Sequence, residues 1–181
     1  MDGVRGRHDI RASSIIRIAR SPDRCPMDDE MTDRHRLPPI ARVLGFAGLL
    51  PQAAAVAVLI GGGPDVRFAA LSLAYAYAAL IFSFLGGVWW GLAAMARGAG
   101  PRWVWIAAVL PSLLALATAW PWATGQTWPG PSLIALGVLI AASLLVDLRL
   151  KAAGLTPEGW LALRAPLSLG LGLLTLMAGL I

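Results

Sequence analysis

From residue 40 to residue 181 the chain is a succession of long apolar runs parted by short pieces rich in glycine and proline. The runs occupy residues 40–60, 68–96, 103–122, 131–150 and 160–181. At 1.5 Å per residue, about 20 apolar residues cover the roughly 30 Å of a bilayer's hydrocarbon, so each run predicts one transmembrane helix. The separators are Gly61-Gly62-Gly63-Pro64, Arg97-Gly98-Ala99-Gly100-Pro101, the stretch from Gly125 to Gly130, and Gly154-Leu155-Thr156-Pro157. Glycine ends a helix and proline cannot continue one. Links this short set consecutive helices antiparallel and side by side. The predicted fold class is therefore all-α: a polytopic membrane protein of five transmembrane helices.

Residues 1–39 follow no such pattern. Arg, Asp, Ser and Pro alternate, and no apolar run reaches the roughly 7–15 residues of a secretory signal. Arg5, Arg7, Arg11, Arg17, Arg20 and Arg24 with Ser13 and Ser14 faintly suggest a mitochondrial transit peptide, but Asp2, Asp9 and Asp23 run against its acid-poor composition. Two readings stay open. One is a disordered cytoplasmic tail, too polar to offset its ordering entropy. The other is an upstream start-site artefact, with Met27 or Met31 as the true start.

Composition sharpens the division. Of 181 residues, 57% are hydrophobic and 14% charged, where soluble domains average about 45–50% and about 25%. Fifteen of the charged residues lie in 1–39 and only ten in 40–181, too few to clothe a soluble globule. Cys25 is the one cysteine, which excludes an intrachain disulfide and a cysteine-based metal cluster. His8 and His35 both fall in the polar front end, so the apolar part has no imidazole for haem, zinc or a proton relay. No cofactor and no metal are expected. The net charge of +5 is not a nucleic-acid signature. The front end balances eight arginines against seven acids, and the remaining surplus borders apolar runs, where it encodes topology.

Orientation follows from that border. Lys and Arg gather on the cytoplasmic side of membrane proteins. With five spans, Arg34, Arg36, Arg42, Arg97, Arg102, Arg149, Lys151 and Arg164 share one side and Arg67 stands on the other. The N-terminus is expected inside and the C-terminus outside, in a bacterial inner membrane or, in a eukaryote, the mitochondrial inner membrane. The tryptophans fit those boundaries. Trp103, Trp105 and Trp160 fall near the inner interface, and Trp120, Trp122 and Trp128 near the outer one. Trp89 and Trp90 lie about two turns before the inner end of the over-long second run. All are read as interfacial anchors, because indole favours headgroup depth.

Within lipid, helices associate through close backbone approach at small residues. Ala79, Ser83, Gly87 and Gly91 recur every fourth residue along the second run, and Gly87 to Gly91 is a G-x-x-x-G match. This face is the expected packing stripe and the candidate surface for membrane-protein partners, on a helix expected at the centre of the bundle. Pro51 and Pro111 fall in mid-span, each freeing the carbonyl four residues earlier, Ala47 and Ala107. Gln52 and Ser112 follow them and offer polar side chains at the kinks. Leu50-Pro51-Gln52 is weakly echoed by Leu110-Pro111-Ser112, a resemblance that helix punctuation also produces without duplication.

Asp147 is the unusual charge, a carboxylate near a helix C-terminus, where it opposes the macrodipole. Lys151, four residues on, is one available partner. Arg164 across the hairpin is the other, and that pair is the one expected, clamping the fourth and fifth helices at the inner interface. Catalytic chemistry is hard to assemble. Asp147 has no acidic partner for an aspartyl protease, and Ser83, Ser112 and Ser143 have no histidine. Mid-depth carboxylates and histidines for proton coupling are missing. No glycine-rich phosphate loop follows a strand. Uncoupled passage of an apolar or zwitterionic solute past Gln52, Tyr75, Tyr77 and Ser112 stays open.

Ser83-Phe84-Leu85-Gly86-Gly87-Val88-Trp89-Trp90-Gly91 resembles a motif of the membrane family called domain of unknown function 3429. Leu110-Pro111-Ser112-Leu113-Leu114, Leu163-Arg164-Ala165-Pro166-Leu167 and Asp147 at the end of the fourth run are similar to its other recurring pieces. The resemblance covers about residues 40–181. It implies a five-helix membrane protein and carries no activity with it. The expected role is a non-catalytic membrane subunit or assembly factor of a larger complex, with lipid and other membrane proteins as partners. The alternative is a transporter of a small solute or lipid, with its site near Pro51/Gln52 and Pro111/Ser112.

Overall fold

A computed structural model describes residues 38–96, 100–125 and 129–181. The expectations for residues 1–37, Arg97 and Trp128 lie outside the described residues. Seven helices carry the rest: α1 (Pro39–Ala47), α2 (Leu50–Gly61), α3 (Pro64–Met95), α4 (Arg102–Ala123), α5 (Gly130–Ala142), α6 (Leu144–Ala152) and α7 (Trp160–Leu180). Joined as α1–α2, α3, α4, α5–α6 and α7, they form five helices long and apolar enough to cross a membrane. Proline stands in the first turn of α1, α2, α3 and α5, where its missing N–H has no intrahelical partner to lose. Gly154 and Gly159 hold φ of 69° and 77° in the link before α7, left-handed values that side chains resist.

Ring contacts and glycine contacts fix the directions. Phe68 meets Trp122 at 5.9 Å between centroids and Trp90 meets Trp105 at 4.8 Å, so α3 and α4 run antiparallel. A Cβ on Gly137 would lie 2.9 Å from the Gly172 carbonyl oxygen, and one on Gly179 would lie 2.8 Å from that of Gly130. Two glycines seven residues apart on α5 thus face two on α7, and the antiparallel backbones nearly touch. Such approach is what small residues permit in lipid, where no hydrophobic drive draws helices together.

Helix α3 is central, touching α2, α4, α5 and α7. Its buried face runs through Ala74, Ala78, Phe82, Leu85, Trp89 and Ala93. The expected packing stripe is corrected here. A Cβ on Gly87 or Gly91 would meet nothing within 4 Å, and Ala79 and Ser83 are only partly buried. The close contact belongs to Gly86, where a Cβ would lie 2.3 Å from the Ala108 carbonyl oxygen. Adjacent helical residues point about 100° apart, so burying Phe82 and Trp89 turns Gly86 inward and Gly87 outward.

Two spans bend. The first breaks at Gly48-Leu49, where Leu49 N–H reaches back three residues to Phe46 and the Tyr77 hydroxyl donates to the Gly48 carbonyl. The partner from a neighbouring helix goes to Gly48, one residue beyond the carbonyl expected to need it. The fourth span, expected unbroken over 131–150, turns at Ser143 without a proline. There Val146 N–H bonds the Ser143 carbonyl at 3.0 Å, and the serine hydroxyl donates to Ile140 at 2.6 Å. That tightening is the usual effect of a serine bonding its own helix. Helix α4 continues through Pro111 and Pro121.

Candidate functional site

One turn past the bend at Ser143, α6 carries Asp147 into the bundle, where its side chain is 0% exposed. A lone carboxylate there would cost several kcal/mol, so it must be ringed by donors. Three side chains supply them. Trp89 Nε1 of α3 donates to Oδ1 at 3.0 Å, and Trp160 Nε1 of α7 donates to the same oxygen at 3.1 Å. Arg164 Nε of α7 donates to Oδ2 at 3.2 Å, closing an ion pair. The guanidinium is held in turn. Its Nη2 donates to Ser168 Oγ at 3.0 Å, and its Cζ lies 6.0 Å from the Trp160 ring centroid, close enough for cation–π attraction.

Asp147 and Arg164, expected to meet across the hairpin, are thus together; Lys151 is exposed at the end of α6. Trp89 is corrected from interfacial anchor to core donor, being 2% exposed. At 32 residues α3 is about 48 Å long, so two turns before its end is still inside the bundle. The signal for this was Phe82 and Trp89 seven apart on one face. Trp160 stands at the helix start as expected, but its N–H is spent on the carboxylate rather than on water. Trp90 is exposed against Trp105. Chemically the cluster holds charge in place. The carboxylate faces three N–H donors, an arrangement that fixes a negative charge and ties three helices at one end.

The four mid-span kink residues do not converge. Gln52 is 0% exposed, and its Nε2 donates to Thr175 Oγ1 on α7 at 3.0 Å, while Thr175 donates to the Leu171 carbonyl at 2.7 Å. Gln52 Oε1 is buried without a hydrogen-bond partner. Pro51 and Ser112 are exposed on the outer surface. Pro111 is buried on the other side of α3, against Gly86. Pro51 and Pro111 border separate grooves with no residue in common. The single transport site expected from Pro51/Gln52 and Pro111/Ser112 is therefore corrected. Two prolines at similar depth mark two helices, and rotation of each helix decides what faces inward. Tyr75 likewise turns to α4, its hydroxyl donating to the Ala115 carbonyl at 2.8 Å.

No curated protein and no solved structure matches the chain. The family described as "Protein of unknown function (DUF3429)" does match, over residues 37–180, a stretch that holds all seven helices and the whole Asp147 cluster, and the chain belongs to that family.

Proposed function

We propose that this multi-pass membrane protein serves as a non-catalytic subunit or assembly factor of a larger complex in a bacterial inner membrane, or in the mitochondrial inner membrane of a eukaryote. What supports the reading is the outward stripe of α3, Ala79, Ser83, Gly87 and Gly91, with open space beside both glycines. A glycine inside a helix costs up to about 1 kcal/mol relative to alanine, and lipid tails need no groove of small residues to pack against. By contrast, Gly86, Gly137, Gly172 and Gly179 meet backbone or side chains within the bundle. The occupant that suits Gly87 and Gly91 is a transmembrane helix of a partner protein, crossing α3 at short distance.

Blue-native electrophoresis of native membranes tests this. The expected result is a band well above the monomer, which Gly87→Leu and Gly91→Leu shift to the monomer position while helicity and detergent-phase stability stay at the wild-type level. A wild-type chain that migrates as a monomer overturns the proposal. So does a complex that survives both leucines.

A further inference from the structure

A groove of about 480 Å³ opens between α1, α3 and α7. Its wall is apolar over most of its length, with Ala41, Leu44, Phe84, Val88 and Leu167 among the lining residues. Its far end is polar, where Trp160, Arg164 and Ser168 line it. The volume lies within the roughly 300–1,000 Å³ of small-molecule sites. A plain helix crevice would be apolar throughout; this one runs into a fixed guanidinium.

The charge at that end has a sign. Arg164 is 15% exposed, and its Nη1 makes no hydrogen bond among the described residues, since Nε goes to Asp147 and Nη2 to Ser168. Arg42 stands on α1 next to the lining residue Ala41, outside the groove's own wall, and reaches toward the start of α7. Its Nη2 lies 3.8 Å from where a Cβ on Gly159 would be, at the start of α7. That helix has no side-chain cap and no acid in its first turn, so although the Trp160 N–H is taken by the Pro157 carbonyl at 3.2 Å, its positive dipole end meets no carboxylate of its own there. Asp147 is sequestered by three donors, and Glu158 is an exposed acid beside Gly159. Among the described residues around this end of the bundle, Arg42, Arg102, Arg149, Lys151 and Arg164 still outnumber Asp147 and Glu158, five to two.

We propose that the groove binds one anionic phospholipid of the surrounding leaflet, an acyl chain lying along α1, α3 and α7 and the phosphate seated between Arg42 and Arg164 at the N-terminus of α7. The apolar wall takes the chain with no polar group left unpaired. The two guanidiniums take the phosphate at headgroup depth, where Trp160 belongs. The bound lipid then covers the face where α1 leaves the bundle open.

Native mass spectrometry of the full chain, released from detergent micelles doped with equal phosphatidylglycerol and phosphatidylcholine, reads the site. One retained phosphatidylglycerol per chain is expected. Arg42→Gln is expected to weaken that retention about fivefold, the loss typical of one basic side chain near a headgroup, while Arg102→Gln leaves it unchanged. Arg42 is exposed, so its variant keeps the fold, and circular dichroism checks it. Filling the groove with Ala41→Phe, or with Leu44→Trp where the first does not fold, is expected to abolish retention. Equal retention of the two lipids overturns the proposal. So does a preference for phosphatidylglycerol that outlasts either Arg42→Gln or the filled groove, since the phosphate would then bind elsewhere.

Discussion

A carboxylate buried among helices needs donors in place of water, and Asp147 has three, from Trp89, Trp160 and Arg164. Removing Asp147 leaves the Arg164 guanidinium and two indole N–H groups without their acceptor. A double-mutant cycle of Asp147→Ala and Arg164→Ala, read by unfolding in mixed micelles, is expected to give a coupling of about 1–2 kcal/mol, the upper end for polar contacts between membrane helices. Full additivity would mean that the pair clamps nothing. Trp89→Phe is expected to cost about 0.5–1.5 kcal/mol through the lost hydrogen bond, and Trp90→Phe, on the exposed face, close to nothing. Gln52 works in the opposite sense. Thr175 still donates to Leu171 when Gln52 is gone, and the orphaned Oε1 goes with it. Gln52→Leu is therefore expected to be neutral or stabilising by up to about 1 kcal/mol in the same assay, and a clear loss of stability would show that the Gln52–Thr175 hydrogen bond outweighs the orphaned oxygen.

At the scale of elements, length and punctuation were legible, and rotation was not. Five apolar runs with glycine and proline between them could only be five spans, because each is long enough to cross and too apolar to face water. Which face of α3 turns inward hung on neighbours far along the chain: Ala108 on α4, Asp147 on α6. Period-four small residues on the side next to the buried one therefore looked like packing. The Asp147–Arg164 hairpin was within reach because the two lie 17 residues apart across a short link, whereas Trp89, 58 residues from Asp147, was not. The bend at Ser143 left no proline to read. A pair of alanine substitutions separates the faces. Gly86→Ala puts a methyl against the Ala108 carbonyl and is expected to cost about 1–3 kcal/mol. Gly87→Ala, in open space, is expected to leave stability unchanged or raise it by up to about 1 kcal/mol. Thermal denaturation in detergent with size-exclusion as the readout compares them, and equal losses would place both faces in contact.

For the whole molecule the governing quantity is the distribution of charge between its two ends. Arg42 at the start of the first span reaches Gly159 at the start of the fifth, while Arg67 at the start of the second donates to the Ile181 carbonyl at the end of the fifth. The two ends are therefore distinct sets of loops, and nearly all of the basic residues bordering the spans belong to the Arg42 end. The positive-inside rule predicts a cytoplasmic Arg42 end, because short loops rich in Lys and Arg resist translocation. Single cysteines read it directly in a Cys25→Ser background. Gly63→Cys sits in an exposed link with nothing within 4 Å, and Ala153→Cys in an exposed link at the other end. With a membrane-impermeant maleimide, Gly63→Cys is expected to label in intact cells or spheroplasts and Ala153→Cys only after the membrane is opened. Labelling in the reverse order would turn the protein over. It would also mean that the eight-to-one bias of Lys and Arg did not set its insertion, leaving the polar front end as the segment to replace next.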